Sequence, residues 1–103
     1  MDTSLRKLTL ACPRSLETAV LDVLDNMEPP LPGFSLIPAK GRGADIDLMS
    51  VSERVQGAGN IVLIQIILSE TGIQSVLDTI RKSCGRVHIS YWVEPVLDFG
   101  RLQ

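Results

Sequence analysis

Residues 60–68 read NIVLIQIIL, and of the eight residues after Asn60 only Gln65 is polar. The length and the bulky aliphatic side chains of this segment are typical of a β-strand. Successive side chains of a strand point to opposite faces, so a strand without a polar face must be covered on both sides. The segment therefore predicts a strand that is buried on both faces.

Three further segments have the pattern of strands. Residues 5–12 alternate apolar and other side chains with a period of two, and residues 87–93 do the same. Residues 34–39 contain Pro38, which cannot donate a ladder hydrogen bond and so favours an edge position. The tail from residue 95 to residue 103 shows no clear period.

Two amphipathic helices separate these strands. Pro13 suits the first turn of the first helix, and Pro29 with Pro30 would end it. Ser69 is a suitable N-cap for the second helix, and Gly85 a suitable terminator. The apolar stripes are Leu16, Val20, Val23, Leu24 and Met27 on the first helix, and Ile73, Val76, Leu77 and Ile80 on the second.

The order β, α, β, β, α, β predicts an α+β fold of the ferredoxin-like type. With right-handed crossovers it gives an antiparallel sheet of strand order 4-1-3-2 with both helices on one face. The 103 residues fit a single domain, residues 1–103. The helix-free face would carry Thr9, Ala11, Ile37 and Trp92 with one side of the third strand, and we expect another subunit to cover this apolar face.

Composition narrows the class of protein. The formal net charge is -2 and the sequence pI is about 5.2, so the chain lacks the basic balance of a general nucleic-acid binder, and no nucleic-acid partner is expected. The apolar run at residues 8–12 is too short for a signal peptide or a membrane span. We therefore expect a cytoplasmic protein whose two cysteines stay reduced.

The predicted topology gathers positive charge at one end of the sheet. Six of the ten basic residues would lie there, and glycines beside them would let backbone amides approach a phosphate. This end would bind an anion, unless Arg81 and Lys82 only complement the helix dipole and the glycines only make turns. The basic residues are Arg14, Lys40, Arg42, Arg81, Lys82 and Arg86, and the glycines are Gly41, Gly43 and Gly85.

The connection between the second and third strands is unusually long. It runs over residues 40–59 as KGRGADIDLMSVSERVQGAG, whereas hairpin loops usually take about 2 to 5 residues. Such a connection is typically functional, and we expect residues 43–58 to be mobile without a partner. An ordinary flexible insertion is the alternative.

At these residues the chain resembles the PII signalling superfamily. The matching elements are Cys12 with Pro13, the K-G-x-G entry at residues 40–43, the segment SERVQG at 52–57, and YWVEPVL at 91–97 followed by Gly100, Arg101 and Leu102. It is similar to a small bacterial PII-like family of unassigned function, often encoded beside heavy-metal efflux pumps of the resistance-nodulation-division class.

The resemblance implies a homotrimer that binds small molecules in clefts between subunits. It also implies that the long connection is a T-loop that contacts a target, often a membrane transporter or efflux pump. In nucleotide-binding members the T-loop entry and the B-loop hold adenine-nucleotide phosphates, but here the B-loop is reduced to residues 84–86. The ligand-binding residues implied are Lys40, Gly41, Arg42, Gly43, Gly85, Arg86 and Arg101.

Two other functions compete with this one. Enzyme activity has little support, because the chain has one histidine and lacks a nucleophile elbow, a P-loop, and HExxH and CxxC motifs. Binding of a divalent or heavy metal is the stronger alternative, with Cys12, Cys84 and His88 as ligands and Asp45 and Asp47 in the nearby connection. Against it, both cysteines should point into the core and His88 should lie on the opposite sheet face, while a zinc site normally needs three or four ligands.

Overall fold

The structure is a computed structural model, and it describes residues 4–42, 59–85 and 88–103. Within these ranges the chain forms four strands, two α-helices and a short 3-10 turn at Arg14–Leu16. The strands are β1 (Leu5–Pro13), β2 (Phe34–Gly41), β3 (Gly59–Ser69) and β4 (Ser90–Val96), and the helices are α1 (Glu17–Asp25) and α2 (Glu70–Cys84).

The strands form one antiparallel sheet in the order β2-β3-β1-β4, which confirms the predicted topology. β1 pairs with β3 over its full length, from Leu5 opposite Ser69 to Pro13 opposite Ile61. β2 lies at one edge, where Pro38 is tolerated, as its sequence predicted.

The hydrophobic core lies between one face of this sheet and the two helices. Every second residue of the central strands points into the core, because successive side chains of a strand point to opposite faces. Ile64 and Ile66 have no exposed surface, and α2 contributes Ile73 and Val76 at the helical spacing. The buried core consists of Leu8, Leu10, Cys12, Val20, Leu24, Met27, Val62, Ile64, Ile66, Ile73, Val76, Leu77 and Ile80.

Local chemistry explains where α2 begins and ends. The Ser69 hydroxyl accepts a hydrogen bond from the amide of Gly72 at 3.2 Å, as an N-cap residue does. At the other end Gly85 adopts a φ of 66°, which side chains disfavour and glycine allows. Both predicted boundaries of this helix are confirmed.

Helix α1 is shorter than the sequence predicted. β1 continues to Pro13, the 3-10 turn follows, and α-helical geometry runs only from Glu17 to Asp25. Pro29 and Pro30 therefore lie beyond the helix end, which Asn26 closes with a side-chain hydrogen bond to the carbonyl of Asp22. The predicted apolar stripe is still correct, because Val20, Leu24 and Met27 are buried.

The predicted limits of the fourth strand were wrong. The strand spans Ser90–Val96, not residues 87–93, and it includes Pro95, which was predicted to belong to the tail. β4 pairs on one side only, with β1, so an edge strand here accommodates a proline. Alternation of apolar and polar residues shows that a segment is a strand. It does not show how far the partner strand extends, and that decides where the strand ends.

In the described ranges no helix lies on the other face of the sheet. Strand register places Thr9 opposite Gln65 and Trp92 on this face, with Ile37 opposite Leu63. Ile37 is 39% exposed and Trp92 43%, whereas Thr9 is completely buried among its neighbours. We call this surface the helix-free face. Among the described residues, no helix has the length and apolar character to cross a membrane.

Candidate ligand-binding site

One end of the sheet brings together the elements that were predicted to meet there. Pro13 of β1 pairs beside Ile61, Gly41 of β2 pairs with Gly59 of β3, and α2 runs from the opposite end toward this one. The start of α1 also meets the end of α2 here. The two helices share a cavity of about 220 Å³, which is lined by Leu16 of the 3-10 turn, residues of α1, and Ser83 and Cys84 of α2. We call this region the loop end, because residues 42 and 59 flank the long connection.

The side chains of the loop end are mainly cationic and exposed. Arg14, Lys40, Arg42, Arg81 and Lys82 all lie on the surface here. Lys40 donates a hydrogen bond from Nζ to Asn60 Oδ1 at 2.6 Å, across the register pair of β2 and β3. Arg81 forms an ion pair with Asp78 at 3.1 Å within α2. The Arg81 guanidinium is thus already paired within its own helix. Arg42 lies at the loop entry.

Two of the predicted site residues, Gly43 and Arg86, lie outside the described residues, as do residues 43–58, which were expected to be mobile. The aspartates Asp45 and Asp47 of that connection are outside them as well. Gly41 and Gly85 are in place at the loop end, and Gly85 has open space where a Cβ would be.

Arg101 is not at the loop end of its own chain. It lines a cavity of about 350 Å³ on the helix-free face together with Lys7, Pro32, Gly33, Ser35, Gln65, Ile67 and Phe99. Lys40 pairs with Asn60, and Ile67 lies seven residues farther along β3. At about 3.3 Å per residue these positions are roughly 23 Å apart. We call this second region the tail cavity.

The tail cavity has apolar walls and several polar groups. Lys7 forms an ion pair with Glu94 at 3.4 Å. Within the part of the chain that the structure describes, the side chains of Ser35, Gln65 and Arg101 have no hydrogen-bond or ion-pair partner. A guanidinium, a primary amide and a hydroxyl that face one cavity can bind an anionic or polar ligand.

Sequence reasoning found Arg101 but missed Lys7, Ser35 and Gln65. The signal for Gln65 was available, because it is the one polar residue of the apolar segment at 61–68. Lys7 and Ser35 gave no such signal, since each looks like an ordinary polar residue of an alternating strand. Their proximity to Arg101 follows only from the position of the tail.

The structure gives the alternative metal site little support. Burial, with smaller contributions from Glu17 and Cys84, raises the pKa of the Cys12 thiol from its ordinary value of 9.0 to about 11. Cys12 is fully buried and donates weakly to the carbonyl of Val62 at 3.8 Å. The prediction placed His88 within the fourth strand, but His88 precedes β4. In the described ranges no three His, Cys, Asp or Glu side chains form a group that could hold a metal ion.

The fold is shared with solved structures. A protein of the DUF3240 family from Shewanella baltica OS155 is 21% identical, with a TM-score of 0.77 over 100% of both chains. CPII from Thiomonas intermedia K12, a nitrogen regulatory PII-like protein bound to ADP, AMP and bicarbonate, is 16% identical, with a TM-score of 0.69 over 95% of this chain and 94% of that one. PII from Arabidopsis thaliana, bound to citrate, is 17% identical, with a TM-score of 0.71 over 98% and 85%.

At these identities the likeness shows the fold and confirms that it is PII-like. No curated protein sequence matches the chain. A sequence profile described as a protein of unknown function, DUF3240, matches residues 2–103, nearly the whole length. The chain therefore belongs to the DUF3240 family.

Proposed function

We propose that this protein is a cytoplasmic PII-like regulator that binds a small anionic effector in clefts between the subunits of a homotrimer. An adenine nucleotide is the effector class we favour. The bound state then controls a partner, a membrane transporter or efflux pump, through the connection at residues 40–59 acting as a T-loop. The protein works in this proposal by binding and not by catalysis.

One observation carries the intersubunit site. The loop entry and the tail cavity lie toward opposite ends of one sheet. Lys40 pairs with Asn60, and Ile67, which lines the tail cavity with Arg101, is roughly 23 Å farther along β3. Lys40 belongs to the alternating residues on the helix side of β2, whereas the tail cavity lies on the helix-free face. A nucleotide within one chain would have to pass around the sheet to touch both groups. If both belong to one site, the loop end of one subunit must adjoin the tail cavity of the next.

The helix-free face supplies the surface for such an assembly. Ile37 and Trp92 are exposed on it at 39% and 43%, although both are large and apolar. The tail cavity opens on the same face, through Lys7, Gln65 and Ile67. Covering this face with another subunit would remove apolar surface from water and would bring a second chain beside the cavity.

The ligands of similar folds support an anionic effector. CPII was solved with ADP, AMP and bicarbonate, and the Arabidopsis protein with citrate, and all of these are anions at neutral pH. Arginine is well suited to such ligands, because its planar guanidinium binds phosphate and carboxylate in a bidentate manner. The exposed cations of the loop end add the positive field expected around phosphates.

Titration calorimetry with ADP, AMP, ATP and citrate tests the effector. Lys40→Ala with Arg42→Ala should weaken binding about tenfold or more, and Arg101→Ala should do the same, since a charge-assisted hydrogen bond contributes roughly 1.5 to 3 kcal/mol. Lys82→Ala is the matched control, because it removes one exposed cation from the loop end but none from the proposed contacts. Unchanged affinity in both test variants would retire the site.

Mixed trimers test whether the site lies between subunits. Lys40→Ala/Arg42→Ala chains and Arg101→Ala chains are unfolded together, refolded as a mixture and titrated. If each cleft takes its loop end from one chain and its tail cavity from the next, about one cleft in four regains both halves in an equal mixture. A site within one chain would regain nothing, and that result would contradict the proposal.

A further inference from the structure

The carboxylate of Glu94 joins the tail cavity to the only tryptophan of the chain. Its Oε1 atom accepts a hydrogen bond from Trp92 Nε1 at 3.2 Å and forms the ion pair with Lys7 Nζ at 3.4 Å. Lys7 lines the cavity, whereas Trp92 lies outside it on the helix-free face. One oxygen therefore contacts a cation of the tail cavity and a side chain of the helix-free face at the same time.

Strand register fixes these three side chains relative to one another. Lys7 of β1 is paired with Glu94 of β4, and Trp92 is two residues from Glu94 along the same strand, on the same face. A change in the Glu94 side chain therefore acts on both neighbours, without any movement of the backbone.

An anion in the cavity would compete with Glu94 for Lys7. In a single chain 32% of the Lys7 side chain and 48% of the Glu94 side chain are accessible, and an ion pair this exposed contributes little to stability. A phosphate or carboxylate held by Arg101 lies in the same cavity as Lys7 and offers it a second partner. Displacing the resident carboxylate is therefore easy for a ligand of that charge.

We propose that Glu94 is a built-in competitor for the effector, and that effector binding releases the Glu94 carboxylate from Lys7 and thereby alters its bond to Trp92. The inference rests on the proposed function, because it assigns a regulatory role to residues beside the same cavity. It gives the helix-free face a way to respond to occupancy of the cavity. Glu94 acts here as a positioning residue and does not itself bind the ligand.

The test measures ADP binding in two independent ways. Calorimetry gives the affinity, and fluorescence reports Trp92 alone, since the chain contains a single tryptophan. Glu94→Gln keeps an oxygen that can accept from Trp92 but removes the charge that holds Lys7. Asp98→Asn is the control, because it also removes one carboxylate charge, next to Phe99 of the tail cavity, but lies outside the Lys7, Glu94 and Trp92 contacts.

We expect ADP to change the Trp92 emission of the unaltered protein, and this change to be lost in Glu94→Gln. Glu94→Gln should bind ADP roughly two- to fivefold more tightly than Asp98→Asn, because no carboxylate competes for Lys7. With Lys7→Met in the background, Glu94→Gln should bring no gain, which shows that the two residues act together.

The outcomes separate the two proposals. If ADP binds by calorimetry but leaves Trp92 emission unchanged, or if Glu94→Gln and Asp98→Asn have equal affinity, the competitor role of Glu94 is wrong and the effector site stands. If ADP produces no binding heat in the unaltered protein or in either variant, the effector site and the competitor role fail together.

Discussion

The two faces of β3 differ in burial although their composition is nearly the same. On the helix side, Val62, Ile64 and Ile66 are 3%, 0% and 0% exposed. On the opposite side, Ile61, Leu63 and Ile67 are only partly buried. Both sets are β-branched or bulky aliphatic residues, so the difference comes from what covers them. The helices cover one face, and among the described residues no helix covers the other. The proposed trimer would cover that second face with another subunit.

The largest expected effect comes from placing a charge on the helix-free face, which tests whether another subunit covers it. Leu63→Asp should abolish self-association, because the carboxylate would be buried without a partner in the assembled protein. The helix-covered core is untouched by the change, so circular dichroism should still show a folded chain. The measurement is light scattering coupled to size-exclusion chromatography at micromolar concentration.

The control for that charge is Gln74→Glu, on the exposed side of α2. It adds one negative charge to the surface and should leave the assembly intact. A trimer of Leu63→Asp as stable as that of Gln74→Glu would show that the helix-free face is not the interface.

The next largest effect should be the loss of stability caused by a cavity in the helix-covered core. Ile64→Ala should lower the free energy of unfolding by about 2–5 kcal/mol, because Ile64 is fully buried and the helices cannot collapse fully into the space. Urea denaturation measures the change, and Ile61→Ala on the opposite face is the matched comparison. In the dissociated Leu63→Asp background, Ile61→Ala should cost clearly less, and equal losses there would contradict the assignment of the core to one face.

High pH should weaken the helix-covered face through Cys12. The folded pKa of about 11 lies above the ordinary 9.0, so the folded protein holds this proton more tightly than the unfolded chain. Stability from this group is complete below pH 9 and is lost as the pH rises from 9 to 11, by about 2–3 kcal/mol. Urea denaturation at pH 8 and pH 10.5 should show a larger loss for the unaltered protein than for Cys12→Ala. Equal losses would place the thiol in a more solvated environment.

The smallest of these effects concerns the helix that covers the core. Ser69→Ala removes the hydroxyl that caps α2 at Gly72 and should lower the free energy of unfolding by about 1 kcal/mol. Ser69→Asp restores an acceptor at the positive end of the helix dipole and should recover most of the loss. Thermal unfolding of the two variants measures this, and no recovery in Ser69→Asp would exclude capping as the cause.

The sequence predicted the elements whose patterns are local. The strand at 61–68, the capped helix ending at Gly85 and the edge position favoured by Pro38 are confirmed, because each depends on neighbours in the chain. Burial of that strand on both faces was also predicted, but in this chain only the face toward the helices is fully buried. The limits of β4 were wrong, because they depend on how far β1 offers partners. The candidate site was likewise predicted only in part. The meeting of strands at the loop end was predicted, because it follows from the order of the elements. The position of Arg101 in the tail cavity depends on a tail without any period.

The register of the central strands sets the order in which the chain can fold. Residues of β1 pair with residues of β3 that follow by 48 positions, for Pro13 and Ile61, up to 64, for Leu5 and Ser69. Its other partner, β4, comes later still. On the ribosome, β1 therefore emerges with neither neighbour available, and the sheet can form only when most of the chain has been synthesised. Closing such distant pairs before any of the core is formed is typical of domains that fold in milliseconds to seconds, not microseconds.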